Sequence, residues 1–354
     1  MQLKNILNLQ QGLQIKIKNR LKNKVPNSLP YITIGFLKKE SFEYYIKNPK
    51  KNHIVYPNEL LIVRTGLTGK PIIGIKGVYH NNFFKVINDQ NKLLNKYLYF
   101  WVLKNEKNIN NLGSGTTIKD LSHKIFLNIN IIIPKISCQQ RIIDIIEPFE
   151  KLAEIYEKLI KLINNLFSLI TKLYSLQTKE KLLSYFNFIK GTEISSSKRT
   201  KNIENKLVKY IRVEDLTFNS ERQSLYCTKD NNFFFDYQDI LLATDGDPGR
   251  IMTGLNGVFS SSIRKVIPKT TNQHLSIALL NLLNPINKEI FNAYTTGTTI
   301  KHGGNNAIKN LKYFEYDKHI KILVKSLYEN LTTLQNNLTK VIFIKKLLIN
   351  KLIE

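Results

Sequence analysis

Apolar positions along this 354-residue chain follow two different periods. From Ile142 they run Ile142, Ile145, Phe149, Leu152, Tyr156, Leu159, Ile163, Leu166, Ile170 and Leu173, in alternating steps of three and four. That is the a/d seam of a helix paired with another helix. Near the C-terminus Ile320, Val324, Leu327, Leu331, Leu334, Leu338, Val341, Leu348 and Leu352 repeat the spacing, interrupted at Lys345. Pro134 marks the end of a strand or loop ahead of the first helix, and Ser137 with Gln140 predicts a capping box at its start. Elsewhere the period shortens. ELLIVRTG (59–66), KPIIGIKGVY (70–79) and FLNINIIIP (126–134) are short β-branched runs bounded by Gly or Pro, as strands are. DILLATDG (239–246) and RIMTGLNGVF (250–259) look alike, while 90–106 and 271–285 carry helical spacing.

The same pattern is written twice. Residues 57–87 align without gaps on 237–267, placing Gly66, Gly69, Gly74 and Gly77 on Gly246, Gly249, Gly254 and Gly257. Lys85-Val86-Ile87 falls on Lys265-Val266-Ile267, and GTTIK at 115–119 recurs at 297–301. Gly12 with Ile15 matches Gly191 with Ile194, and Tyr31-Ile32 matches Tyr210-Ile211. An internal duplication follows. The expected fold is α/β (α+β): mixed globules at 1–136 and 181–317, each followed by a long helix, at 137–180 and 318–354. One helix per repeat implies a pseudo-twofold arrangement, with the two helices paired as an antiparallel coiled coil.

Charge narrows the partner. Lys and Arg total 53 against 27 Asp and Glu, a net charge of +26. That surplus points to a polyanion, although a Lys-, Asn- and Ile-rich composition also reflects AT-rich coding. No apolar run is long enough for a membrane span and the N-terminus lacks a signal-peptide pattern. Cys138 and Cys227 have no CxxC spacing, so reduced cysteines in a cytoplasmic protein are expected. The histidines form no metal cluster.

Catalytic motifs do not emerge. GLTGKP at 66–71 lacks the spacing and the Ser or Thr of a Walker A loop, and its counterpart GDPGRI lacks the lysine, so a glycine turn between strands explains both. Asp245 and Asp247 face Thr65 and Leu67 across the repeat, which argues against a paired-carboxylate metal site. Neither an adenine-methyltransferase tetrapeptide nor GxSxG or HExxH occurs. No cofactor and no metal are expected.

Candidate DNA contacts come from three sources. GTTIK offers hydroxyls, backbone N–H groups and a cation to a phosphate through Thr116, Thr117 and Lys119, and again through Thr298, Thr299 and Lys301. A helix-capping role suits the same residues. Basic clusters stand in equivalent places at Lys16, Lys18 and Arg20 and at Lys198, Arg199 and Lys201. Positions that differ between the copies are where base readout would belong if the copies contact different DNA sequences. Arg64 against Thr244, Arg250 against Lys70, and His302 against Asp120 are such differences, with a surface salt bridge or a buried strand-end position as the competing role for either arginine.

In order and repetition these features resemble the specificity subunit of type I restriction-modification enzymes. NINIIIPKISCQQRIIDII at 128–146 is similar to that family's strand, Pro, Glu-Gln and helix-start signature, with Pro134 and Gln140 in place and Gln139 for the usual Glu. The second copy, KNLKYFEYDKHIKIL at 309–323, lacks the Pro and Gln. The resemblance spans essentially the whole chain. It implies a non-catalytic subunit whose two target-recognition domains each read one half of a bipartite site on double-stranded DNA. The helices would fix the spacer and dock methyltransferase subunits, and cleavage would fall to restriction/translocase subunits. Two other readings stay open: the recognition subunit of a combined, type II-like restriction-modification enzyme, and a coiled-coil scaffold that binds only proteins.

Overall fold

The computed structural model describes residues 1–39, 41–115, 119–202, 206–217, 224–295 and 304–353. Two compact units divide the chain: Met1–Phe149 with Ile344–Glu354, and Glu150–Phe343.

The first unit holds two four-stranded sheets. One orders Leu7–Gln11, Phe83–Asn88, Leu61–Val63 and Pro71–Ile72, all antiparallel. The other orders Tyr45–Lys47, Ser28–Ile32, Gly77–Tyr79 and Ile54–Val55, with Ser28–Ile32 parallel to Gly77–Tyr79. The second unit repeats both orders. Phe186–Lys190, Ile263–Pro268, Ile240–Ala243 and Ile251–Met252 form one sheet, and Leu225–Thr228, Leu207–Ile211, Gly257–Phe259 and Phe234–Phe235 the other. Its parallel pair is again the equivalent one, Leu207–Ile211 with Gly257–Phe259.

The shared glycines explain why the copies fold alike. In the first hairpin Val63 N–H donates to Lys70 O (2.9 Å) and Gly69 N–H to Val63 O (2.8 Å). In the second, Ala243 N–H donates to Arg250 O (2.8 Å) and Gly249 N–H to Ala243 O (3.0 Å). Gly69 (φ 88°) and Gly249 (φ 89°) both sit in the left-handed region these turns require. GLTGKP is therefore a hairpin turn. At Gly12 the constraint is a close approach instead: a Cβ would stand 2.2 Å from His80 O, and at Gly191 2.3 Å from Phe259 O.

The helices differ between copies. Asn95–Leu112 is continuous, whereas its counterpart is Leu275–Leu283 followed by Pro285–Tyr294, with Pro285 opening the second piece. The expected strand over 126–134 is mostly absent. Phe126 and Leu127 close a short helix, His123–Leu127, and only Asn130 makes a bridge, to Gln2. The second copy completes that ladder as Leu176–Lys181 with Lys312–Glu315.

Both long helices form, as Ile136–Leu173 and Lys318–Leu352. The first stops at Leu173, short of 180, because the chain turns into the strand Leu176–Lys181. Its buried stripe departs from most of the expected seam. Gln139, Ile143, Ile146, Glu150, Ala153, Ile160, Phe167, Ile170 and Thr171 are buried; of these Ile170 alone belongs to the expected seam, in which Ile145, Leu159, Leu166 and Leu173 are exposed. This helix is apolar on two adjoining faces, and the inward one includes Gln139, Glu150 and Thr171, which a search for apolar spacing passes over. In the second long helix Val324, Leu331, Leu338 and Val341 of the expected seam are buried.

The expected capping box is also replaced. Ile136 already lies in the helix, and Gln140 donates to Asp144 Oδ1 (2.7 Å). The neighbouring Gln139, with no exposed surface, secures the entry instead. Its Nε2 donates to Lys92 O and Pro134 O, both at 2.9 Å, and its Oε1 accepts from Leu94 N–H (2.8 Å). Around that entry lies the first unit's main core, including Leu60, Val86, Tyr97, Phe100, Trp101 and Ile146, and also Ile349 and Ile353 from the end of the second long helix.

Candidate nucleic-acid interface

The two basic clusters occupy turns after the equivalent strands Leu7–Gln11 and Phe186–Lys190, around the short helices Ile17–Asn19 and Ser196–Lys198. Lys16, Lys18, Lys198 and Lys201 are exposed, as phosphate contacts require. The arginines face inward. Arg20 Nε donates to Ile15 O (2.9 Å), and its guanidinium stands 5.2 Å from the Tyr31 ring and 5.4 Å from that of Tyr44. Arg199 lies 5.0 Å from the Tyr210 ring and donates to Glu193 Oε1 (3.1 Å). Since Tyr31 and Tyr210 are equivalent, the same arginine–tyrosine stack braces the turn in both copies. Tyr31 hydroxyl donates to Leu13 O (2.6 Å) and Tyr210 hydroxyl to Thr192 O (3.3 Å). Burial, reinforced by Glu193, pushes the Tyr210 hydroxyl up to about 12, so it stays a donor.

Arg64 follows the strand Leu61–Val63 and pairs side-on with Asp120. Nε lies 2.9 Å from Oδ1 and Nη2 donates to Oδ2 at 3.0 Å. The Thr65 hydroxyl donates to the same Oδ1. Burial raises the Asp120 carboxyl, but the bonds from Thr65 and Arg64 outweigh it and hold the group below its ordinary range. Backbone bonds fix both partners: Ser114 N–H to Asp120 O (3.0 Å), Asp120 N–H to Ser114 O (2.8 Å), and Leu121 N–H to Arg64 O (3.0 Å). Alongside, the His123 ring stacks on Phe84 with centroids 4.2 Å apart. Burial, then the Arg64 charge, lowers its pKa, which favours the neutral imidazole.

Arg250 pairs with Asp247 at 2.5 Å on an exposed turn. Lys119 Nζ donates to Asn111 Oδ1 (3.2 Å), and its carbonyl accepts the Thr68 hydroxyl (2.6 Å). Thr116, Thr117, Thr298, Thr299, Lys301 and His302 lie outside the described residues. Both arginines singled out for bases thus carry carboxylate partners. Arg264, at the position of Phe84, went unremarked in the sequence reading. It is buried, donating to Ser261 O (2.8 Å), Ile263 O (3.0 Å) and Asn305 Oδ1 (2.8 Å). The apolar-to-basic change at that aligned position was its signal. Among the described residues no group of three His, Cys, Asp or Glu stands close enough to hold a metal, and no helix is long and apolar enough to cross a membrane.

Against known proteins, residues 1–165 match the family described as Type I restriction modification DNA specificity domain. The specificity subunit of the type I restriction enzyme MjaVIII from Methanocaldococcus jannaschii is 29% identical over 125 residues, 35% of this chain and 29% of that protein. The chain therefore spans less than a third of that specificity subunit. The crystal structure of the type I restriction-modification S subunit from M. genitalium is similar with a TM-score of 0.62 and 13% identity, over 100% of this chain and 95% of the other. At that identity the likeness is one of fold, and it takes in both repeats.

Proposed function

We propose that this chain is the non-catalytic specificity subunit of a type I restriction-modification complex, with one target-recognition domain at 1–136 and another at 181–317. Each reads one half of a bipartite site on double-stranded DNA. The observation that carries the reading is the combination of two identical sheet frameworks with unlike side chains at corresponding loop positions. Phosphates are the same everywhere and bases are not, so shared parts serve folding and backbone contact while differing parts serve readout. The long helices pair antiparallel and set the distance between half-sites. A 38-residue helix is about 57 Å long.

Methyltransferase subunits dock on the outward face of the first long helix, and restriction/translocase subunits join them. Ile155, Leu159, Leu162, Leu166, Leu169 and Leu173 stand exposed there at steps of four and three, a seam of the kind that a partner helix covers. Catalysis belongs to those partners. In a titration with duplex DNA, log affinity should fall linearly with log salt, by about 0.9 for each phosphate neutralised. Co-expressed methyltransferase subunits should co-purify with the chain and methylate DNA only in its presence. A salt-independent interaction, or methyl transfer by the chain alone, would overturn the assignment.

A further inference from the structure

Beside the Arg64–Asp120 pair lies a hollow of about 350 Å³, lined by Gln11, Arg64, Phe84, Asp120, His123 and Lys124 among others. The side-on pairing uses Nε–H and one Nη2–H of the guanidinium. Five N–H donors are present in all, so the outer edge, Nη1–H beside the second Nη2–H, is still available. Among the described residues no partner takes it. Two parallel donors at that spacing fit O6 and N7 of guanine in the major groove. Asp120 holds the fork in plane, so its rotamer freedom is lost on folding rather than on binding. Arg64 and Asp120 are 30% and 36% exposed, open enough for a base edge to reach.

The second copy supplies an independent observation. Gly12, Gly66 and Lys85, which flank the hollow in sequence, recur as Gly191, Gly246 and Lys265. The lining does not recur. Gln11, Arg64, Phe84, His123 and Lys124 stand opposite Lys190, Thr244, Arg264, Asn305 and Asn306. Thr244 is buried, with its hydroxyl on Ser262 O (3.0 Å), and the guanidinium of Arg264 is occupied by Asn305 and backbone. A hollow that served only folding would keep its lining as the glycines are kept.

We propose that this hollow is a base-reading site of the first repeat, in which Arg64, oriented by Asp120, recognises a guanine that the second repeat does not require. The proposal rests on the DNA-recognition reading above and assigns one of its contacts. Arg64 is the reading residue and Asp120 its positioning residue.

The full chain is incubated with a pool of random-sequence duplexes, and the bound fraction is sequenced. Wild type should select a two-part motif. Arg64→Lys keeps a cation opposite Asp120 but loses the fork, and should lower the preference for one guanine in one half-motif by roughly tenfold to a hundredfold. The other half-motif, the spacing and the salt slope should not change. Asp120→Asn should give a smaller loss at the same position. A second measurement needs no variant: wild-type protein should bind more weakly to the selected duplex when that guanine is replaced by 7-deazaguanine, which lacks the N7 acceptor. An unchanged motif in Arg64→Lys, or unchanged affinity for the 7-deaza duplex, overturns the assignment of the hollow and leaves the DNA-recognition reading standing. A wild-type chain that binds DNA but selects no motif overturns both.

Discussion

In the basic turn Lys16, Lys18 and Arg20 are alike in sequence, but the fold separates their work. Arg20 is held by Ile15 O and two tyrosine rings, whereas Lys16 and Lys18 are exposed. Replacing Arg20 with Ala should therefore cost about 1 kcal/mol or more of stability, read as a lower denaturant midpoint. Replacing Lys16 or Lys18 should leave the midpoint unchanged and flatten the salt dependence of DNA binding by about one phosphate each. Arg64 shows why such divisions were hidden. Its partner is 56 residues away, and nothing local to either residue announces the pair. That pair also sets a pH dependence. Asp120 titrates below its unfolded value, so its contribution is present at neutral pH and is lost as pH falls through the depressed folded value. Asp120→Asn should thus be less stable than wild type near neutrality, with the difference shrinking from about pH 4 downward in an acid-unfolding series. A constant difference across that range would show that the charge contributes nothing.

Among elements, existence was easier to read than orientation. Both long helices, the hairpin turns and the duplicated sheets follow from spacing and glycine positions, because these depend on local backbone geometry. Which face of the first long helix turns inward does not. Two adjoining stripes of that helix are apolar, and Gln139 turns inward on bonds to Lys92 and Leu94, more than forty residues earlier in the chain. The exposed stripe makes a contrast that mutation can test. Phe167→Ala empties a fully buried position in the second unit and should cost about 3–5 kcal/mol. Leu162→Glu changes a residue that is 59% exposed and should alter thermal stability by no more than about 0.5 kcal/mol. It should nevertheless abolish co-purification of methyltransferase subunits. Retained co-purification would remove this face from the docking surface. The expected strand before the first long helix failed for a related reason. Its β-branched residues were read for propensity, yet only Asn130 finds a bridging partner in that stretch, whereas the second copy has Leu176–Lys181 to complete the ladder.

At the scale of the whole molecule, the order of the chain and the membership of its compact units part company. The hydrophobic pattern predicts four consecutive segments, but the last helix starts in the second unit and its final residues belong to the first. Ile349 and Ile353 enter the core that contains Trp101, and Lys104, one turn beyond Trp101, donates its ammonium to Ile353 O. A terminal helix docked in this way resists fraying, because leaving would expose a core made by residues more than two hundred positions earlier. The chain holds a single tryptophan, so the fluorescence of Trp101 reports on this core alone. Ile353→Asn places an amide where an isoleucine is 1% exposed, removing apolar contacts and burying a polar group. The expected cost is about 3 kcal/mol or more. In a urea titration the red shift of Trp101 emission should then begin at clearly lower denaturant than in wild type. Leu347→Asn, two residues before Ile349 on the exposed side of the same helix, should leave that transition in place. Such a difference would tie the end of the second long helix to the integrity of the first unit. Equal midpoints for Ile353→Asn and wild type would mean that the first unit holds its core without that helix, and the anchoring would have to be given up.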